Sequence, residues 1–330
     1  MFDKYLYALG RGVRGAKKAL DDAGRAPDPL SRARDITPAP GVAEPAPPPP
    51  LVAVTAAPRA KKPLVFGARP LVMGIVNTTP DSFSDGGAFL DPAAAVAHGL
   101  RLAGEGADIL DLGGESSRPG HARVDAAEEI ARVVPALRAL AAACDTPISI
   151  DTTKAAVARA ALDAGATIVN DIWGLRRDPD LARLVAERGA HVVVMHNRDE
   201  EDASIDIVAD VLDFLRRSID IALKAGVAED RIIVDPGVGF GKTNAQNLLV
   251  TRELARLRVL GRPILLGVSR KRVIGAATGR AVARERLAGS LAAAVMGAER
   301  GADVLRVHDV AEHVDGLRMF AAIRGDGEAK

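Results

Sequence analysis

Residues 77–87 read "NTTPDSFSDGG" and follow the apolar run "LVMGIV"; they hold two carboxylates, an amide and four hydroxyls with no basic residue. Asn77, Asp81 and Asp85 offer the oxygen ligands that a hard cation such as Mg²⁺ takes, although Ser, Thr, Asp and Pro also build ordinary turns. Polar groups stand at the ends of other apolar runs as well. Asp151 in "SIDTTK", Asn170 in "IVNDIWG" and Asp235 in "VDPGVGFGKT" combine carboxylate acceptors with an amide that donates and accepts. That set suits a flat heterocycle with several N–H donors, while Asp151 equally suits the N-cap of the helical stretch after it. A cationic set suits a diphosphate: Arg118 in "GGESSRPG", Arg270 and Lys271 in "GVSRKR", Arg306 and His308 in "RVHDV". Taken one at a time, each is an ordinary solvated charge. The stretch "GVGFGKT" is not a P-loop, because residue 236, where the first Gly must stand, is Pro. Its glycines instead permit a tight loop carrying Phe240 over the site.

The elements that must position these residues repeat. Short apolar runs at 71–76, 107–112, 147–150, 167–170, 191–195, 231–235, 263–267 and 303–307 alternate with Ala-rich helical stretches. Gly or Gly–Ala closes most helices just before the next run, as in "DAGAT" and "ERGAD". Eight strand–helix units predict an α/β fold, a (β/α)₈ TIM barrel over residues 63–330. An open doubly wound sheet has the same periodicity. The barrel is favoured because Asn77, Glu115, Asp151, Asn170, His196, Asp235, Lys271 and His308 all fall at or just past strand C-terminal ends, which converge only in a closed barrel. The cationic pairs at 270–271 and 306–308 then fall in the loops after strands seven and eight, where barrels often hold phosphate.

Residues 1–62 read as an N-terminal extension: a short amphipathic helix, then a Pro-rich, largely disordered linker with "PAPPPP" at 45–50. The chain has 330 residues and a formal net charge of +1, so it carries no electrostatic footprint for nucleic acid. No apolar run approaches the ~18–20 residues of a membrane span, and the charged N-terminus lacks a signal-peptide pattern. Cys144 is the single cysteine and excludes an intrachain disulfide, which points to the cytoplasm.

In order along residues 70–310, "NTTPDSFSDGG", "DLGGESSRPG", "SIDTTK", "VNDI", "DPGVGFGKT", "GVSRK" and "RVHD" resemble the successive blocks of the dihydropteroate synthase family. The resemblance implies a barrel that joins p-aminobenzoate to dihydropterin hydroxymethyl diphosphate, releasing pyrophosphate with Mg²⁺. It implies that Asp151, Asn170, Met195, Asp235 and Lys271 line a pterin slot. It places Asn77, Arg118, Arg306 and His308 on the pyrophosphate, with Asn77 on the metal. Asp85 and Arg118, on two loops, would act with Lys271 at the reacting centre; Ser117, Pro119, Phe240 and Lys271 would contact p-aminobenzoate. A homodimer is also implied.

The chemistry is consistent: a departing pyrophosphate needs positive charge, and a neutral aryl amine needs no strong base. The chain departs from the family pattern at Thr78, Ser117, Asn197–Arg198 and Arg272. Rival readings are a pterin-dependent methyltransferase, which has no need of the anion-binding set, and a catalytically silent pterin-binding paralogue.

Overall fold

The computed structural model describes residues 57–78, 92–115 and 124–325. The strands are β1 (Leu71–Asn77), β2 (Ile109–Gly113), β3 (Ile148–Asp151), β4 (Ile168–Asp171), β5 (His191–Met195), β6 (Ile232–Asp235), β7 (Leu265–Leu266) and β8 (Val304–Val307). Between them run α1 (Pro92–Gly104), α2 (Ala126–Ala143), α3 (Ala155–Asp163), α4 (Leu181–Arg188), α5 (Ile207–Lys224) and α6 (Asn244–Arg252). The pair α7 (Arg272–Thr278) and α8 (Leu287–Glu299), then α9 (Val310–Arg324), complete the order.

All ladders are parallel, in the order β6-β5-β4-β3-β2-β1-β8-β7. A parallel bridge between Val234 and Ile264 joins the two ends, and Val234 N donates to Pro263 O at 2.9 Å. The barrel expected from the sequence is therefore present and nearly closed. Its seventh strand begins later than the expected run at 263–267, because Pro263 has no N–H and that of Ile264 goes to Asp303 Oδ2 at 2.8 Å.

Alternation along each strand divides the core into two layers. Outward-facing Leu110, Leu112, Ile150, Val192 and Val194 pack beneath the helices with Val133, Leu137 and Leu140 of α2. Inward-facing Met73, Ile109, Ile168, Val193, Ile233, Leu265 and Val304 fill the barrel, and Leu64 and Phe66 pack against this cluster. Two residues further along the strands, roughly 6–7 Å at the usual rise, the inward positions become Asp111, Asn170, Met195, Asp235 and Arg306. The apolar plug is the floor on which the polar layer stands.

Among the described residues three helices, α2, α5 and α6, start on side-chain caps. Asp206 accepts from Val208 N and Ala209 N to open α5, and Thr243 and Gln246 form a reciprocal capping box on α6. The segment just before Pro63 lies against the end of α2. Arg59 N donates to Ala141 O and Lys62 N to Asp145 O, both at 2.9 Å, and Lys61 Nζ reaches Ala141 O and Cys144 O. The helix and linker read from sequence before residue 57 lie outside the described residues.

Candidate active site

The polar layer converges as one cluster at the C-terminal end of the barrel. Arg306, on β8, donates through Nε to Asp111 Oδ2 at 2.6 Å and through Nη2 to Asp151 Oδ2 at 2.8 Å. Asn170 Nδ2 donates to the same Asp111 oxygen at 3.3 Å. Two carboxylates thus share one guanidinium. Loss of solvent, opposed by Arg306 and helped by Asp111 and Glu129, pushes the Asp151 carboxyl up to about 7. Burial lowers every cation, yet Asp111 and Asp151 hold the Arg306 guanidinium above its ordinary value.

Asp235, at the end of β6, is buried, and its carboxyl is raised by that burial. Its Oδ1 accepts from Gly237 N at 2.7 Å. Lys271 follows β7; burial, with Arg306 beside it, lowers its ammonium to about 8. Its Nζ sits 4.1 Å from the centroid of the Phe240 ring, a cation–π contact that ties the β6–α6 loop to the β7–α7 turn. Asp151, Asn170, Met195, Asp235, Lys271 and Arg306 all line one cleft, with Phe240 at its edge. Every residue read from sequence as a pterin contact is among them.

The other placements expected from the sequence divide. Arg306, read with His308 as a diphosphate ligand, turns into the barrel onto Asp111 and Asp151, because β8 directs position 306 to the inward face. His308 accepts or donates at Nδ1 with Ser269 Oγ, 3.1 Å away. Burial, then Arg270 and Arg306, push His308 down to about 3, so in the unliganded chain it offers an N–H rather than a charge. Arg270 is not free for an anion: its guanidinium pairs with Asp309 through two contacts, and its own backbone, at φ +58°, is held by Ser290 Oγ and Arg286. Glu115 pairs with Lys154 on the helix side, and His196 packs on Phe214 of α5, so neither strand-end group enters the mouth.

Asn77 ends β1 beside Gly113, half-buried. Among the described residues no group of three His, Cys, Asp or Glu could hold a metal ion. Thr78 has a definite place, donating through its hydroxyl to Gly113 O at 2.9 Å. Arg272 is the exposed first residue of α7. Asp81, Asp85, Ser117, Arg118 and Pro119 lie outside the described residues.

Two buried residues escape a reading of the sequence. Asp111 is wholly buried, and its Oδ1 has no partner. Its signal is the period-2 step from Ile109 on an inward face. Lys242, buried under the β6–α6 loop, carries no sequence signal beyond the glycines around it.

The family model described as pterin binding enzyme matches residues 73–308. A dihydropteroate synthase of Clostridium beijerinckii is 48% identical over 254 residues, covering 77% of this chain and 94% of that protein. The dihydropteroate synthase of Xanthomonas albilineans, solved with 4-aminobenzoic acid, superposes with a TM-score of 0.75 at 50% identity, covering 78% of this chain and 93% of the other. The same enzyme in complex with 7,8-dihydropteroate gives 0.72 at 49% identity, over 78% and 94%.

Proposed function

The chain belongs to the pterin binding enzymes and, within them, to the dihydropteroate synthases, and from that premise we propose how its own residues serve the reaction. The reaction is a transfer: p-aminobenzoate displaces pyrophosphate from 7,8-dihydropterin-6-ylmethyl diphosphate, giving 7,8-dihydropteroate. The carrying observation is the single cleft in which residues from five successive strand ends, Asp151, Asn170, Met195, Asp235 and Lys271, meet beside Phe240.

Asp235 presents its free oxygen, and Asn170 its amide, to the N–H edge of the pterin, while Met195 supplies an apolar wall. Arg306 keeps the carboxylates below the ring compensated, so the slot is polar without large net charge. Lys271 stands between the slot and Phe240, where the carbon under attack and the incoming amine meet. Positive charge at that point opposes early protonation of the amine and favours the departing anion. Arg118, Asp85, Ser117 and Pro119 are assigned by motif to the reacting centre and the p-aminobenzoate site.

Magnesium fits the donor set as a substrate-borne ion: it keeps waters and phosphate oxygens and takes few protein ligands. Asn77 would supply one oxygen, and the ion would neutralise charge developing on the pyrophosphate. His308 would add a hydrogen bond to the same group.

The barrel domain is placed at residues 63–330, with Arg59 and Lys62 just before it bonded to Ala141 and Asp145 at the end of α2. A homodimer through α8 and α9 is supported by Met296, Met319 and Ile323, which are 51%, 62% and 74% exposed on these adjacent helices. The lone half-buried Cys144 supports a cytoplasmic setting. No helix among the described residues is long and apolar enough to cross a membrane.

The test is release of pyrophosphate from the dihydropterin diphosphate, followed with and without p-aminobenzoate and Mg²⁺. Turnover that requires both is expected. Pterin binding without turnover would return the chain to the silent paralogue reading.

A further inference from the structure

A buried cation that the pterin cleft does not contact lies beneath the β6–α6 loop. Lys242 is 2% exposed. Its ammonium donates to Gly237 O at 2.8 Å, to Phe240 O at 3.0 Å and to His196 Nδ1 at 2.7 Å. An ammonium has three N–H donors and no acceptor, so these contacts use it completely. The other nitrogen of His196 lies 3.0 Å from Asp210 Oδ2, which also accepts from Arg198 Nη1 at 2.9 Å. An ionised carboxylate only accepts, so His196 carries its hydrogen on Nε2 and turns the Nδ1 lone pair to Lys242. Donation therefore runs one way, from the loop through the end of β5 to α5.

What the loop needs is restraint. Gly237, Gly239 and Gly241 all have positive φ, at +67°, +87° and +53°, and glycine carries the largest backbone entropy to be lost. Asn247 holds the loop from α6: its Oδ1 accepts from Gly239 N at 2.6 Å, and its Nδ2 donates to Lys242 O at 3.0 Å. Lys242 holds it from within, at the carbonyls of Gly237 and Phe240. Those two residues carry the two halves of the site. The N–H of Gly237 orients the Asp235 carboxylate, and the ring of Phe240 packs on Lys271.

We propose that Lys242 is a positioning residue that sets Asp235 and Phe240 relative to one another, so that one buried ammonium holds the pterin slot and the p-aminobenzoate site in register. The inference rests on the reading of the cleft given above. Stability alone does not call for a charge here, because a buried charge is costly to keep; what the ammonium adds is three donors fixed at once on two loop carbonyls and the end of β5. Burial, with Lys271 and Arg198 adding to it and Asp235 and Asp210 opposing it, has brought this ammonium down to about 7.

The full-length chain, Lys242→Met and Thr243→Ala are compared by thermal melt, by calorimetric binding of the dihydropterin, and by KM for p-aminobenzoate against kcat at saturation. Thr243→Ala removes the cap of α6 and leaves the bonds of Lys242 alone. Lys242→Met is expected to melt cooperatively, to bind dihydropterin about tenfold or more weakly and to raise the p-aminobenzoate KM by a similar factor, with kcat within about threefold. Thr243→Ala is expected to lower the melt with both constants within about threefold of the parent. A folded Lys242→Met that leaves either constant within that range, or a Thr243→Ala that shows the same paired loss, overturns the proposal. Should Lys242→Met fail to melt cooperatively, His196→Phe removes one acceptor and leaves the ammonium; paired loss then supports the proposal, and either constant unchanged overturns it. A parent that does not bind dihydropterin overturns the cleft reading itself and this inference with it.

Discussion

At Asp235 the protein has committed one carboxylate oxygen to the chain itself, through Gly237 N, and left the other for the cleft. The expected consequence of Asp235→Asn follows from that division. The amide oxygen takes the Gly237 bond, so the NH₂ points into the slot and meets the N–H donors of the pterin. One hydrogen bond is lost and a buried donor is left unpaired. A mismatch of this kind costs on the order of 2–4 kcal/mol, or roughly 30- to 1,000-fold in pterin affinity. The fold should not suffer with it. Burial raises the Asp235 carboxyl, so its charged form is a burden to the folded state above the ordinary carboxylate pKa, and the neutral amide removes that burden. Calorimetric pterin binding beside a melt of the same variant at pH 7 checks both halves. Affinity within about threefold of the parent would make Asp235 a turn cap and move the slot elsewhere.

Among the elements, strand ends were legible and strand parity was less so. Apolar runs bounded by Gly and turn residues marked all eight strands, and the polar residues after them marked the mouth. Which of two adjacent polar residues faces inward depends on a one-residue step. Met195 faces the cleft, while His196 turns to Phe214 and Asp210 outside the barrel. Asn170 faces the cleft, while Asp171 caps its own turn, accepting from Trp173 N and Leu175 N. Asp111 escaped notice because a carboxylate inside an apolar strand looks like an exception until its partner, Arg306, arrives from 195 positions away. The pairing of Arg270 with Asp309 was hidden for the same reason, since two loops must meet to make it. The β6–α6 loop shows how much such geometry constrains sequence. A Cβ on Gly237, at φ +67°, would sit 1.8 Å from His196 O, whereas one on Gly261, at φ +62°, meets nothing within 4 Å. Gly261→Ala is therefore expected to cost about 1–2 kcal/mol of stability from backbone strain alone. Gly237→Ala must also displace the loop and the Asp235 carboxylate, with pterin affinity reduced on the order of a hundredfold. Equal binding by the two variants would show that the loop adapts without moving the site.

Taken whole, the chain is almost neutral, at +1, yet it buries ionisable groups of both signs around one end of the barrel, and their protons set how its stability varies with pH. Burial raises the acids: Asp151 to about 7 and Asp171 to about 6. It lowers the bases: His196 and His308 to about 3, Lys242 to about 7 and Lys271 to about 8. For a raised acid the folded state holds more protons between the unfolded and folded values, so stability falls as pH rises through that window. For a lowered base the unfolded state holds more protons, so stability rises with pH between the folded and unfolded values. From pH 4 to 6.5 the acids and the histidines oppose one another. The histidines have finished by about pH 7 and Asp151 by about pH 8; the lysine windows, from about 7 and about 8 up to the ordinary lysine value of 10.5, run on beyond both. The melting temperature is therefore expected to rise between pH 7 and 9. Lys242 alone contributes on the order of 1–2 kcal/mol, which for a domain of this size is about 2–6 °C. Lys242→Met should flatten that rise while the parent retains it. Differential scanning calorimetry of both proteins across the same buffers is the measurement. A parent whose melt is flat or falls over that range would mean that Asp235 and Asp210 hold the ammonium charged against its burial, and that the lysine beneath the loop is a paired ion rather than a strained one.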